Sequence, residues 1–182
     1  MKTLKLATLA LVFFTFSSCD NEVFDVKFGL NTKEIVFNLE PNASSGEIIL
    51  SPQSQAINLD SLASAFGADI SKIKSVTITK ITAILVSPDT SNFDILESGV
   101  LNLTTGNIGD PDFDLLKIAE FNQVPKGIKE LNISPSSADV LPFAKKPRLT
   151  VSGKLVTNAP LKNASTIKLV IDFEVIANPI TP

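Results

Sequence analysis

The alternation of apolar and polar side chains near the C-terminus constrains this chain more than any other feature. Ile167, Leu169, Ile171, Phe173 and Val175 alternate with Thr166, Lys168, Asp172 and Glu174, and a period of two marks a strand with one buried and one solvated face. Just upstream, Leu149, Val151, Gly153 and Leu155 alternate with Arg148, Thr150, Ser152 and Lys154 in the same way. Asn158-Ala159-Pro160 and Asn163 separate the two runs, which therefore read as antiparallel strands joined by a loop.

Earlier strands are expected at residues 24–30, 34–39, 47–51, 76–86, 96–104, 115–121 and 128–133. In the longest of these the apolar parity switches: Val76 and Ile78 share one face, whereas Ile81, Ala83 and Leu85 take the other. A β-bulge near residues 79–81 restores one continuous core face, and the alternative is a strand covered on both sides. Helical spacing occurs at Leu59, Leu62, Ala63 and Phe66, with Asn58 or Asp60 as cap and Gly67 suited to a left-handed exit. A second, single-turn helix is expected to begin at Asp139, with Pro142 inside the first turn, where its missing N–H does no harm. Many short strands, turn residues between them and few helices define an all-β fold: an antiparallel β-sandwich of jelly-roll or Greek-key type with one short helix. Strand and helix do not alternate, which argues against a doubly wound fold, and no fixed-period repeat is present.

The N-terminus has a different character. Lys2 and Lys5 precede an apolar run from Leu6 to Phe16, and Ser17, Ser18 and Cys19 follow. The 11 residues of this run fall short of the ~20 that span a bilayer as a helix, so the run suits a cleaved export signal. Phe16-Ser17-Ser18-Cys19 resembles the lipobox of bacterial lipoproteins, with Phe in place of the more usual Leu, and Cys19 is the sole cysteine of the chain. The resemblance implies cleavage before Cys19 and transfer of a diacylglycerol, bearing palmitate-type chains, to its thiol. Two or more such chains anchor stably where one does not, since each buried CH₂ contributes ~0.8 kcal/mol. Residues 1–18 are then the signal peptide, 19–23 a lipidated tether, and 24–182 a single β-sandwich domain.

Asp20-Asn21-Glu22 after the cysteine resembles the surface-export signals of Bacteroidota lipoproteins, whereas an aspartate at that place also resembles the inner-membrane retention signal of enteric bacteria. The Phe-rich leader and the low-Arg, Asn/Thr/Ile-rich remainder resemble Bacteroidota proteins, as does the β-sandwich pattern taken whole. Those likenesses imply a cell-envelope location at the outer membrane, on either its surface or its periplasmic side.

Charge and composition then remove whole classes of function. Without Lys2 and Lys5, the 16 basic residues fall to 14 against 19 acidic ones, a net charge of −5, and Arg148 is the one arginine. Nucleic acid is an unsuitable partner, because phosphate affinity needs clustered Lys and Arg. The chain contains no histidine and no cysteine beyond Cys19. That excludes Cys-His pairs, Ser-His-Asp triads and the common zinc and iron ligand sets. Ser71 and Lys74, and again Ser165 and Lys168, stand three apart as in a Ser-x-x-Lys motif. That motif works from a helix start beside a Lys-Thr-Gly, which this chain lacks, and both pairs lie in or beside expected strands.

The densest polar cluster is Asn107-Ile-Gly-Asp110-Pro-Asp112-Phe-Asp114. Calcium takes six to eight oxygens, so Asp110, Asp112 and Asp114 supply half a candidate site, and the same residues equally suit a solvated turn. No other cofactor is indicated. The expected function is non-catalytic: binding of an envelope glycan or protein by a domain tethered to the membrane through Cys19. The alternative is an envelope glycan hydrolase using carboxylates alone, although the absence of Trp and Tyr removes the usual sugar-stacking rings. The loops at 87–93, 106–114 and 122–127 carry polar residues that no strand pattern explains, and are the expected contact sites.

Overall fold

The computed structural model describes residues 25–32, 34–56, 68–105, 113–146 and 148–179. Nine strands run through them: β1 (Val26–Asn31), β2 (Ile35–Leu39), β3 (Gly46–Ala56), β4 (Ala68–Ser87), β5 (Leu96–Thr104), β6 (Leu115–Phe121), β7 (Glu130–Ile133), β8 (Arg148–Thr157) and β9 (Ser165–Pro179). A 3-10 turn (Phe93–Ile95) leads into β5, and a single helical turn, α1 (Leu141–Ala144), precedes β8.

All pairings are antiparallel. β2 pairs with β9, β3 with β8, β4 with β7 and β5 with β6, which are the successive rungs of one long hairpin. The hairpin is rolled so that its rungs fall alternately in two sheets, closed by the pairs β4–β9 and β5–β8. One sheet has the order β1-β9-β4-β7, with β2 beside β1 on the same side of β9, and the other has the order β3-β8-β5-β6. This is the jelly-roll form of the sandwich, so the expected fold class stands with its topology resolved.

β9 carries the pattern that announced it. Ile167, Leu169, Ile171, Phe173 and Val175 are all buried, and Ile171 and Val175 are wholly so. Lys168, Asp172 and Glu174 on the opposite face are half-buried rather than free in water, because β9 is flanked on both sides by long strands. In β4 the register with β9 shifts between Ile78 and Lys80, leaving Thr79 as the extra residue with its hydroxyl donating to the Asp172 carbonyl. The parity switch is thus a bulge: Val76 and Ile78 before it, and Ile81, Ala83 and Leu85 after it, all reach the same core.

Two strands outrun the sequence pattern. β4 begins at Ala68 instead of 76, with further register shifts on both sides of Ile73. β3 continues past a shift between Leu50 and Gln53 to Ala56. Both extensions are rich in polar residues and so show no apolar alternation. α1 forms where a turn was expected, with Pro142 in its first turn and Asp139 Oδ1 accepting the N–H groups of Leu141 and Val76. The helix expected near Asn58–Gly67 lies outside the described residues. Among the described residues, no helix is long and apolar enough to cross a membrane.

β1 and β2 act as one interrupted strand. β1 occupies β9 from Ala177 to Asp172 and β2 from Leu169 to Ser165. Buried Thr32 bridges the break: its N–H donates to the Ile171 carbonyl at 2.9 Å, and its hydroxyl accepts the Ile171 N–H at 3.0 Å. Val26 therefore lies at the opposite end of the sandwich from Leu39, 12 residues apart along β9, or roughly 40 Å at the rise of a strand. The chain enters at the lower pole, where Lys74 Nζ holds both carboxylate oxygens of Asp25 at 2.7 and 3.0 Å.

Thr32→Val keeps the shape and removes the hydroxyl, leaving the buried Ile171 N–H without its acceptor. We expect a loss of ~1 to 3 kcal/mol in denaturant unfolding. Phe173→Ala, which empties the core under β9, is expected to lose ~3 to 5 kcal/mol. A Thr32→Val protein as stable as the parent would show that the break needs no side-chain stitch.

Candidate functional site

The strand directions sort the connections into two poles. Residues 40–45, 88–95, 122–129 and 158–164 lie at the upper pole, and the described residues 105, 113–114 and 134–146 at the lower one, beside Asp25. The lower pole is sealed by the segment before β8. Asp139 bridges to Thr77 on β4 and Pro135 to Ala119 on β6, so this segment crosses from one sheet edge to the other. It buries Val140, Phe143 and Ala144 as it goes.

The upper pole is built differently. Its loops are tied to one another at the rim and leave a cavity of about 390 Å³ between the sheets. At ~24 cal/mol per Å³, an enclosed void of that size would cost on the order of 9 kcal/mol, as much as a domain's whole stability. It is tolerable because the mouth opens to water among exposed Pro160, Lys162 and Asn163. The walls are apolar: Leu39 and Ile167 from one sheet, Leu96 and Leu155 from the other, and Phe93 and Leu161 from the loops. No Asp or Glu is among the lining residues, and Lys162 is the one charged side chain there.

Asp94 is the hinge pin of the rim. Asn92 Oδ1 accepts its N–H at 3.1 Å, starting the 3-10 turn that buries Phe93. Its own Oδ1 accepts the Gly127 N–H at 2.6 Å, and its carbonyl accepts from Lys126. Gly127 has φ +75°, a backbone region glycine adopts without a Cβ clash. The Phe93 N–H to Ile128 carbonyl bond at 2.9 Å completes the join between the two loops. Farther round, Asn158 N–H reaches the Ile95 carbonyl, and the Asn42 side chain accepts the Leu161 N–H at 2.6 Å. Lys129 binds Asp89 through both its carboxylate and its carbonyl. That hydrogen bond, and then the attraction between the charges, holds the Asp89 carboxyl below the usual aspartate range. Lys117 lowers Glu120 on β6 in the same way. Both pairs are surface contacts, and neither lines the cavity.

Of the three loops expected to make contacts, those at 87–93 and 122–127 come together at the upper pole, while residues 106–112 of the third lie outside the described residues and its end at 113–114 is at the lower pole. Asp110 and Asp112 lie outside the described residues. Asp114 closes the β5–β6 hairpin: its N–H donates to the Thr105 hydroxyl, its carbonyl accepts the Thr105 N–H, and its Oδ1 accepts the Leu115 N–H at 2.8 Å. Among the described residues, no group of three His, Cys, Asp or Glu side chains is placed to hold a metal. The Ser-x-x-Lys pairs make no dyad. Lys74 is bound to Asp25, Lys168 to Glu34 at 2.6 Å, and the Ser165 hydroxyl donates to the Asn163 carbonyl. Sequence reasoning missed the 158–164 connection as a wall of the cavity. Its signal was Leu161, the one large apolar side chain of that loop, buried here at 8% exposure.

No family model matches this chain, and no curated protein matches it. Among solved structures, one of Desmodium yellow mottle tymovirus matches at 12% identity and a TM-score of 0.26, covering 100% of this chain and 98% of that one. Another, the structure of black queen cell virus, matches at 13% identity and a TM-score of 0.27, covering 100% and 90%. The jelly-roll assignment rests on this chain's own strand pairing and draws nothing from these scores.

Asp94→Ala removes the acceptor for Gly127, whereas Asp94→Asn retains an oxygen there. We expect the Gly127 amide to exchange faster with solvent in the alanine variant, with a loss of ~1 kcal/mol, and to stay near the parent rate in the asparagine variant. Equal exchange in all three proteins would show that the rim does not depend on this bond.

Proposed function

We propose that this protein is a lipoprotein of the cell envelope, held to the outer membrane by lipid on Cys19, which binds a ligand or partner at its upper pole and does not turn it over. The observation that carries this reading is the polarity of the domain. Cys19 precedes Asp25 by six residues, a reach of at most ~21 Å, and Asp25 is fixed at the pole opposite the cavity. A tether at one end and an open, rim-tied cavity roughly 40 Å away at the other is the arrangement of a domain that presents a site away from its membrane. The hydrolase alternative gains no support at this pole, because the cavity lining has no carboxylate to act as acid, base or nucleophile.

Labelled palmitate is expected to enter the wild-type protein and not a Cys19→Ala variant, which is expected to leave the membrane fraction or retain its leader. Crosslinking from position 162 in whole cells is expected to capture envelope material. Unmodified Cys19 in the mature protein removes the anchor from this reading. Turnover of a glycoside or ester by purified protein, lost in an Asp94→Ala or Asp89→Ala variant that still folds, removes the non-catalytic part.

A further inference from the structure

We propose that the cavity at the upper pole takes the aliphatic chain of a soluble, single-chain amphiphile with an anionic headgroup, of the fatty-acid class, and that Lys162 pairs with the headgroup. This rests on the binding role proposed above and gives it a ligand chemistry. The shape favours a chain over a disc. Beneath the 390 Å³ cavity lies a separate void of about 20 Å³ that shares Phe93, Leu96, Leu155 and Ile167 with it and is lined by apolar side chains alone. The floor of the cavity is therefore apolar, which suits a tail entering end-on. Phe93 is the single aromatic ring in the main cavity, and it is buried at 3% exposure. A sugar would find no exposed ring on which to stack.

The mouth selects the sign of the headgroup. Lys162 is exposed there and makes no ion pair among the described residues, and the other polar side chains of the lining, Ser91, Asn92, Thr157, Asn163 and Ser165, are neutral. The neighbouring rim lysines are engaged, Lys126 with the Asp94 carbonyl and Lys129 with Asp89. A cationic headgroup would meet Lys162 with no acid in the lining to offset it. Cys19 stays within ~21 Å of the lower pole and the mouth lies roughly 40 Å from that pole, so the mouth faces away from the anchor and toward amphiphile in solution.

Every buried core side chain among the described residues lies between Phe28 and Ala177, so a protein of residues 20–182 keeps them all. This protein is titrated by calorimetry with dodecanoate below its micelle concentration, and in parallel with dodecyltrimethylammonium and dodecyl maltoside, which share the chain. The wild type is expected to bind dodecanoate about fivefold or more tightly than the cation, a ratio within reach of one exposed charge acting on opposite headgroups. Lys162→Glu is expected to reverse that order, and Ala159→Phe, which places a ring at the mouth, to abolish binding of all three while the melting transition is retained. Vesicles of phosphatidylglycerol are expected not to sediment the protein. No binding of dodecanoate by folded wild type, equal affinity for the three headgroups, or sedimentation with the vesicles would each overturn the proposal. None of those outcomes bears on acylation of Cys19 or on capture of an envelope partner, which test the broader reading separately.

Discussion

The rest of the structure depends on β9 being paired along both edges at once. β1 and β2 take one edge and β4 takes the other, over 12 residue steps between Ser165 and Ala177. The inner face of β9 gives the core its floor at Ile167, Leu169, Ile171, Phe173, Val175 and Ala177, none more than 8% exposed. Backbone hydrogen bonding on both edges fixes the register, and register matters because a slip of one residue would turn that whole face to water. Two of the places where a neighbour loses step with β9 are repaired locally. At the break between β1 and β2, Thr32 supplies the missing acceptor, and at the β4 bulge the Thr79 hydroxyl reaches the Asp172 carbonyl. In both, a β-branched hydroxyl residue satisfies backbone that the ladder leaves unpaired.

What the sequence made legible follows from where each strand sits. A central strand with one face on the core must alternate, so β8 and β9 could be read residue by residue, and even the β4 bulge could be placed from a parity switch. Edge and terminal segments are under no such requirement. Gln53–Ala56 at the end of β3 and Ala68–Ser75 at the start of β4 are held mainly by backbone pairing, for which side-chain pattern is a weak guide. The single helical turn was legible for a different reason: Pro142 fits a first turn, where its missing N–H does no harm, although the turn starts at Leu141 rather than at Asp139, whose Oδ1 accepts the Leu141 N–H.

The site was less legible, and parity explains why. In an antiparallel chain successive connections fall at alternate poles, so a correct strand count assigns every loop to an end. β1 and β2 look in sequence like two strands, yet they are two halves of one, running in the same direction along β9. Counting them as two places the tether beside the cavity; counting them as one places it at the far pole. The distinction turns on three residues between Asn31 and Ile35, and no hydropathy pattern marks it. The cavity was hidden for a related reason. Its walls are contributed by β2, β3, β4, β5, β8 and β9 together with two loops, so each residue by itself reads as ordinary core.

The contrast between the poles shows that an opening at the upper end is not a general consequence of the fold. A jelly roll has two ends between its sheets, and each must be filled by side chains, covered by a connection or left to solvent. At the lower end the 14-residue connection between Ile133 and Arg148 carries Val140, Phe143 and Ala144 into the core and bridges Ala119 on β6 and Thr77 on β4 on the way. At the upper end the connections are tied to each other instead, through Asp94, Asn42 and the backbone of Phe93 and Asn158, and among their described residues Phe93 and Leu161 are buried, at 3% and 8% exposure, while Ile95, Val124 and Ile128 are only partly so. Rim-to-rim bonds of this kind hold a mouth at fixed width without filling it. A sequence selected for stability alone has a direct remedy, since one larger apolar residue at Ala159 would cover the mouth. The rim is instead built from polar groups that bond around the opening, and the apolar surface beneath stays accessible. That combination, a stiff polar rim over an apolar space on the end of the domain remote from its first described residue, is what makes the upper pole the place to look for this protein's ligand.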